Sequence, residues 1–137
     1  YSNFGSAPTV SSNMMKDAVV IAKKRRPDLI IDGEMQVEPA VDEKIARDFF
    51  PFSQIQGDAN VLIFPNLSSA NIAYKLLHKL GGAEAIGPIL IGMNKPVNVI
   101  PTGSDVQDVV NIATFTSINI QNQRERGNES SLTKGNA

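Results

Sequence analysis

Apolar residues recur at helical spacing in four stretches of the chain. Met14, Met15, Ala18, Val19 and Ala22 do so in a stretch that Ser11-Ser12 can cap and that runs to Arg26, where Pro27 stops it. A shorter stretch runs from Val41 to Phe50 and ends at Pro51. In the third, after Ser68-Ser69, Ile72, Ala73, Leu76, Leu77 and Leu80 share one face, and Gly81-Gly82 supply the stop. The fourth opens at Ser104 with Gln107 three residues on, a capping-box spacing, and carries Val106, Val109, Val110, Ala113 and Ile120.

Between these stretches lie short runs with no polar interruption: Leu29-Ile30-Ile31, Val61-Leu62-Ile63-Phe64 and Ile89-Leu90-Ile91, with Val97 to Ile100 as a further candidate. Their length, their β-branched content and the Asp, Gly, Pro and Asn around them predict strands buried on both faces. Strands alternating with helices predict βαβ units and a largely parallel sheet, an α/β fold. From Gln121 to Ala137 the chain is polar with few apolar residues, and this tail is expected to be disordered.

Composition narrows the chemistry. The 137 residues are 42% hydrophobic, one domain's worth of chain with enough apolar content to close a core. Basic and acidic residues nearly balance, at 13 and 14, so the basic excess of a bulk electrostatic nucleic-acid binder is missing. No apolar run approaches the ~20 residues of a membrane span. Without cysteine there is no disulfide framework, thiolate nucleophile or cysteine zinc site, and a lone His78 excludes His-rich metal sites. A cytoplasmic setting is the simplest one. The start at Tyr1-Ser2-Asn3, without Met or a signal-like segment, reads as a piece cut from something longer.

Candidate chemistry gathers at loops. Phe64 is followed by Pro65-Asn66-Leu67-Ser68-Ser69 and Ile100 by Pro101-Thr102-Gly103-Ser104, each leading into a helix. Ser2-Asn3-Phe4-Gly5-Ser6 resembles a third such loop. Loops at the carboxyl ends of parallel strands line the ligand crevice of an open α/β sheet. Small hydroxyl and amide residues there leave backbone N–H groups open at helix N-termini, which suits phosphate or carboxylate. Any one loop is more simply an ordinary helix cap; three together favour a polyanion site without specifying the ligand. Lys23-Lys24-Arg25-Arg26 complements the dipole at a helix end, with phosphate binding as the alternative. Asp32-Gly33-Glu34 offers two carboxylates for acid/base or metal work, or is simply a turn after a strand. His78 lies off the apolar helix face and reads as solvated. Neither a G-x-G-x-x-G fingerprint nor a P-loop occurs.

Longer strings carry a resemblance. Asp32-Gly33-Glu34-Met35-Gln36 is one. Ala59 through Leu67, followed by Asn71-Ile72-Ala73-Tyr74-Lys75-Leu76, is another; Gly82 through Leu90 and then Lys95-Pro96-Val97 complete the set. In this order they resemble the phosphate acetyl/butyryltransferase family over the chain from Tyr1 to the vicinity of Gln121. The resemblance implies a two-domain, three-layer α/β/α sandwich with a mostly parallel sheet, of the isocitrate/isopropylmalate dehydrogenase-like kind, usually dimeric and with a cleft between the domains. Residues 1–86 would then be the second half of the second domain. Residues 87–121 would be the last strand and helix returning to the first, and residues 122–137 a polar carboxyl-terminal tail.

The resemblance extends to two branches of the family. Active transferases carry Ser-Arg-Gly before the last helix, as the resemblance has it, where this chain reads Pro101-Thr102-Gly103. The change removes a hydroxyl and a fixed cation that would hold phosphate and developing negative charge. The later aspartate of that motif is retained as Asp108. Ser2-Asn3-Phe4-Gly5-Ser6, Arg25-Arg26-Pro27-Asp28-Leu29, Phe50-Pro51-Phe52-Ser53 and Ile91-Gly92-Met93-Asn94-Lys95-Pro96-Val97 resemble the other branch, the carboxyl-terminal region of bacterial NADP-dependent malic enzymes. That likeness implies a catalytically degenerate, acetyl-CoA-sensing regulatory region of an enzyme that oxidatively decarboxylates malate to pyruvate. NADP and a divalent metal would bind upstream, and this piece would hold no cofactor, catalytic residue or metal ligand of its own. Ser2, Asn3, Asn66, Ser68, Ser69, Thr102, Gly103, Ser104 and Asp108 are the expected ligand-binding residues. The expected partners are acetyl-CoA or a related CoA metabolite, the upstream malic-enzyme domain and further copies in a homo-oligomer, with neither nucleic acid nor membrane. The alternatives are an active phosphate acetyltransferase, moving acetyl between acetyl phosphate and CoA, and a purely structural dimerisation module.

Overall fold

A computed structural model describes the backbone of residues 1–134 and the side chains of residues 1–124. The chain divides by internal packing into two compact units, Tyr1–Leu76 and Leu77–Ala137. Five helices are present among the described residues: α1 (Val10–Arg25), α2 (Val37–Val41), α3 (Glu43–Phe49), α4 (Leu67–Leu80) and α5 (Val106–Lys134). None is long and apolar enough to cross a membrane.

The first helix begins one cap earlier than Ser11-Ser12 suggests. Thr9 is extended, its hydroxyl accepts the Ser12 N–H at 3.2 Å, and the Ser12 hydroxyl accepts the Thr9 N–H at 2.8 Å. This reciprocal pair satisfies two donors that a helix start leaves open. Lys23, Lys24 and Arg25 fill the last turn, where the carbonyl end of the dipole favours positive charge. Lys23 also reaches Asp32 at 3.2 Å, and Arg26 forks onto Asp28 through Nε and Nη2 at 2.8 and 2.6 Å.

The stretch expected from Val41 to Phe50 is α3, starting at Glu43, and a separate short helix, α2, precedes it, the two meeting at Asp42. Its N–H closes α2 on the Glu38 carbonyl at 2.8 Å, while its carboxylate accepts the Ile45 N–H at 3.0 Å and starts α3. α2 and α3 pack on each other and bury Ala40 and Ala46. The return loop lies close enough for the Ala59 N–H to donate to the Ala40 carbonyl at 3.0 Å. Gly57, at φ +82°, passes so near the Asp42–Glu43 backbone that a Cβ there would overlap it.

Two of the runs predicted as strands, Leu29–Ile31 and Val61–Phe64, lie in the first unit without entering any ladder. In the second unit the pairing is one antiparallel bridge, Ile89 with Asn98. The parallel sheet expected from the sequence is therefore not formed among the described residues. A ladder needs backbone hydrogen bonds between runs, and among the described residues neither Ile30–Ile31 nor Val61–Phe64 makes any.

The second unit is organised around α5. Asn98 donates from Nδ2 to the Thr116 hydroxyl at 2.7 Å, and its side-chain oxygen accepts the Leu90 N–H at 3.3 Å. Asn111 donates to Glu84 at 2.6 Å, and Ile112 is buried. Upstream, Gly82 at φ +67° turns the chain out of α4, so that the Gly81 and Ala83 N–H groups both reach the Leu77 carbonyl. His78 hydrogen-bonds through Nδ1 to the Ala83 carbonyl at 2.9 Å, locally stapling this helix end. The backbone of α5 continues to Lys134, through residues the polarity of the sequence marks for disorder. Residues 135–137 of the expected tail lie outside the described residues.

Candidate functional site

In the first unit the buried polar side chains are Ser2, Ser12, Glu34 and Ser53, and three of them belong to one arrangement. Asp32 and Glu34 follow the Leu29–Ile31 run, with Gly33 at φ +132° between them. Each carboxylate braces a different loop.

Glu34 is 8% exposed and holds the Ser2–Ser6 loop. Its Oε1 accepts the Ser2 hydroxyl at 2.8 Å and the Gly5 N–H at 2.6 Å. Its backbone carbonyl accepts the Phe4 N–H at 2.8 Å, and the Asn3 side-chain oxygen accepts the Gln36 N–H at 2.6 Å. Among the described residues Glu34 Oε2 is buried with no partner. Burial pushes the Glu34 carboxyl upward, but the Gly5 N–H and Ser2 hydroxyl, helped by Lys16, outweigh it and hold its pKa below the ordinary value.

Asp32 holds the loop after α3. Its Oδ2 accepts the Ser53 hydroxyl and the Gln54 N–H, both at 2.9 Å; its Oδ1 accepts Lys23 Nζ at 3.2 Å and the Gly33 N–H at 3.1 Å. Burial again raises the carboxyl, and these four donors more than reverse it, leaving the pKa lowered. Both Asp32 oxygens are thus occupied by protein donors, which leaves little of it for acid/base work.

An aromatic trio joins the two loops. Phe4 sits with its ring centroid 4.9 Å from Phe52, edge to face, and 5.6 Å from Phe50; Phe50 and Phe52 are 6.2 Å apart and nearly perpendicular. Phe4 takes φ +50°, a left-handed conformation that costs a non-glycine residue roughly 1 kcal/mol. The Glu34 hydrogen bond and the two rings hold it there.

The nine expected ligand residues are placed as follows. Ser2 and Asn3 lie in the braced loop, where the Ser2 hydroxyl and the Gly5 N–H, natural donors for a phosphate, are already taken by Glu34. The anion this loop holds is its own carboxylate. Asn66 caps α4, its side-chain oxygen accepting the Ser69 N–H at 2.9 Å, and the Ser69 hydroxyl returns to the Asn66 carbonyl at 3.0 Å. Ser68 is exposed in the first turn. In the second unit, Thr102 and Gly103 are exposed in a turn closed by the Ser104 N–H on the Pro101 carbonyl at 3.2 Å, with Gly103 at φ +90°. Asp108 closes a capping box: its carboxylate accepts the Asp105 N–H at 3.0 Å, and the Asp105 carboxylate accepts the Asp108 N–H at 2.9 Å. The box therefore lies one residue beyond the Ser104–Gln107 pair that the spacing suggests.

Also in the second unit, Lys95, Pro96, Ile120, Gln123 and Arg124 line an open cavity of about 470 Å³ with two cationic groups. Among the described residues no three His, Asp or Glu side chains are placed to hold a metal ion. Composition did not single out Ser53 or the aromatic trio; Phe50-Pro51-Phe52-Ser53 entered the sequence reading only through the family resemblance.

Known proteins share this arrangement of loops and helices. The chain is 44% identical over 121 residues to a phosphate acetyltransferase of Clostridium acetobutylicum, which takes in 88% of this chain and 36% of that protein. It is 37% identical over 123 residues to an NADP-dependent malic enzyme of Haemophilus influenzae, covering 90% of this chain and 16% of the relative. Its backbone superposes with a TM-score of 0.79 on the EutD phosphotransacetylase from Staphylococcus aureus, at 38% identity over 85% of this chain and 36% of the other. The chain thus spans about a third of the length of the phosphotransacetylases it matches. The profile of the phosphate acetyl/butaryl transferases matches residues 1–117, and the chain belongs to that family.

Proposed function

We propose that this chain forms part of a phosphotransacetylase-type site for acetyl-CoA and acetyl phosphate, in a protein that moves an acetyl group between phosphate and CoA. The observation that carries this reading is the extent of the likeness to phosphate acetyltransferases, which runs through the Asn66–Ser69 loop. The reaction would join the CoA sulfur to the acetyl carbonyl carbon, break that carbon's bond to the phosphate oxygen, and release phosphate while the thiol proton passes to a base. Such a reaction gains from donors aimed at the developing oxyanion and from a fixed positive charge on the phosphate. In this chain Thr102 and Ser104, in the turn ahead of α5, can offer hydrogen bonds, and Lys95 and Arg124 are the cations of the cavity in the same unit.

A second reading is favoured by one specific observation. Pro101-Thr102-Gly103 presents no charge, and the Asp108 carboxylate is engaged in capping α5. A loop of that kind can bind without catalysing. On this reading the chain is the acetyl-CoA-responsive, catalytically silent region of a cytoplasmic, homo-oligomeric NADP-dependent malic enzyme. Its sheet would be completed into the three-layer sandwich, and NADP and the divalent metal would be held by residues outside this chain. An effector here would act by favouring one arrangement of the oligomer, with a coupling of about 1–3 kcal/mol.

The full-length protein decides between the two when assayed for CoA acetylation from acetyl phosphate and for NADP-dependent malate oxidation with and without acetyl-CoA. Acetylation supports the transferase. Malate oxidation that responds to acetyl-CoA, without acetylation, supports the regulatory region. Neither activity, with acetyl-CoA silent in calorimetry, overturns both and leaves a structural dimerisation module.

A further inference from the structure

The donors of the Ser2–Ser6 loop converge on one point. Phe4 and Gly5, at φ +50° and +87°, form a tight turn closed by the Ser6 N–H on the Asn3 carbonyl at 3.0 Å. The turn directs the Phe4 N–H to the Glu34 carbonyl at 2.8 Å and the Gly5 N–H to Glu34 Oε1 at 2.6 Å, where the Ser2 hydroxyl joins it at 2.8 Å. An N–H and a hydroxyl aimed at one oxygen make a seat for an oxyanion, carboxylate or phosphate alike. Gly5 and Ser6 are exposed, so the seat lies next to solvent.

Glu34 fills this seat incompletely. The residue is 8% exposed, yet its Oε2 is buried with no partner among the described residues. A buried carboxylate oxygen without a donor forgoes the hydrogen bonds water would give it, so Oε1 alone holds the seated state. Turned outward, the carboxylate recovers water on both oxygens, and Lys16, exposed on α1, is already within electrostatic reach of it. The same positive charge favours any anion that takes the vacated seat. We propose that the Ser2–Ser6 loop is an oxyanion site gated by Glu34. A carboxylate or phosphate group of a small ligand enters when Glu34 turns out, and Glu34 competes with it for the Ser2 hydroxyl and the Gly5 N–H. The inference rests on this geometry and not on which reaction the protein runs, so a binding measurement tests it independently of any activity.

The test compares the full-length parent protein with Glu34→Ala and Glu34→Gln, using sodium acetate and inorganic phosphate as probes against sodium chloride at equal ionic strength. Hydrogen–deuterium exchange of residues 2–7, read by mass spectrometry, reports on the seat itself and not on anion sites elsewhere. In Glu34→Ala, acetate or phosphate, but not chloride, is expected to slow exchange of this segment at least about tenfold. In the parent the apparent affinity for the same anion is expected to be at least about tenfold weaker, because the seat is vacant only a fraction of the time. Glu34→Gln, whose side-chain oxygen still accepts from both donors, is expected to fall between them, and it carries the test where Glu34→Ala does not fold. A response to acetate alone identifies the ligand group as a carboxylate, and a response to phosphate alone as a phosphate. Equal affinity in the parent and both variants would remove Glu34 as the gate. No anion-specific protection of residues 2–7 in either variant would remove the site, and either result overturns the proposal.

Discussion

Asp105 and Asp108 hold each other at the start of α5: each backbone N–H donates to the other's carboxylate, at 3.0 and 2.9 Å. The pair satisfies two donors of the first turn and places negative charge at the positive end of the helix. Asp105→Ala is expected to cost about 1 kcal/mol of stability. Asp108→Asn keeps an acceptor oxygen and is expected to melt within about 0.5 kcal/mol of the parent protein. If the Asp108 carboxylate only caps, Asp108→Asn also changes acetyl-CoA affinity or acetyl transfer by less than about tenfold. Calorimetry and the coupled assay check this, and a larger loss with unchanged melting would assign Asp108 a role at the ligand.

Glu34 is the internal anion of the Ser2–Ser6 loop, and its replacement should be felt there first. Glu34→Ala leaves the Ser2 hydroxyl and the Gly5 N–H without their shared acceptor, at a position only 8% exposed. Hydrogen bonds to charged groups contribute about 1.5–3 kcal/mol each, so a loss of about 3 kcal/mol is expected in denaturant unfolding. Glu34→Gln retains the acceptor that both donors use but places an amide NH2 where Oε2 has no partner. Its cost should therefore lie between those of the parent and Glu34→Ala. A Gln variant as damaged as the Ala variant would show that Oε2, not Oε1, is the critical atom.

Asp32 and Glu34 also make stability depend on pH, in one direction. Both carboxyls have folded-state pKa values below their ordinary ones. The unfolded chain therefore takes up their protons first as pH falls. Their contribution is fully present above the unfolded values, about 3.9 for Asp and 4.3 for Glu, and is lost as pH drops below these and through the folded values. Urea unfolding at pH 7, 5, 4 and 3 should show little change from these groups down to pH 5 and a steepening decline below. Asp32→Asn and Glu34→Gln should each flatten that decline; an unchanged slope in both would remove these carboxylates as its source.

These carboxylates mark how far the sequence could be read. The helices were legible because Pro27, Pro51 and Gly81-Gly82 punctuate them, and the extended runs because β-branched residues crowd them. Caps slipped by one to three residues, since Thr9 and Ser12, or Ser104 and Asp105, are all competent caps and only geometry selects among them. The five-residue α2, with Pro39 inside it, offers too short a period to notice. The site was harder. Ser2 meets Glu34 across 32 residues and Asp32 meets Ser53 across 21, so no local pattern shows that Asp32-Gly33-Glu34 braces two loops. The expected sheet, finally, is represented among the described residues by one antiparallel bridge, because pairing joins runs far apart in the chain and leaves no local mark in the sequence.

Gly57 is the position where backbone geometry is least forgiving. Its φ of +82° lies in the left-handed region, and a Cβ built on it meets the backbone of Asp42 and Glu43, at the junction of α2 and α3. Backbone atoms cannot rotate aside as the end of a flexible side chain can. Gly103 shares the conformation, at φ +90°, but has open space around the same direction. Gly103→Ala therefore meets only the conformational penalty, about 1–2 kcal/mol. Gly57→Ala adds the displacement of the Asp42 corner, which carries the end of α2 and the cap of α3. It is expected to cost more than about 4 kcal/mol, in the range reserved for strained or overpacked sites. Chemical denaturation of the two variants side by side tests this. Equal costs would mean that the α2–α3 corner yields to the loop and that positive φ alone requires glycine at position 57.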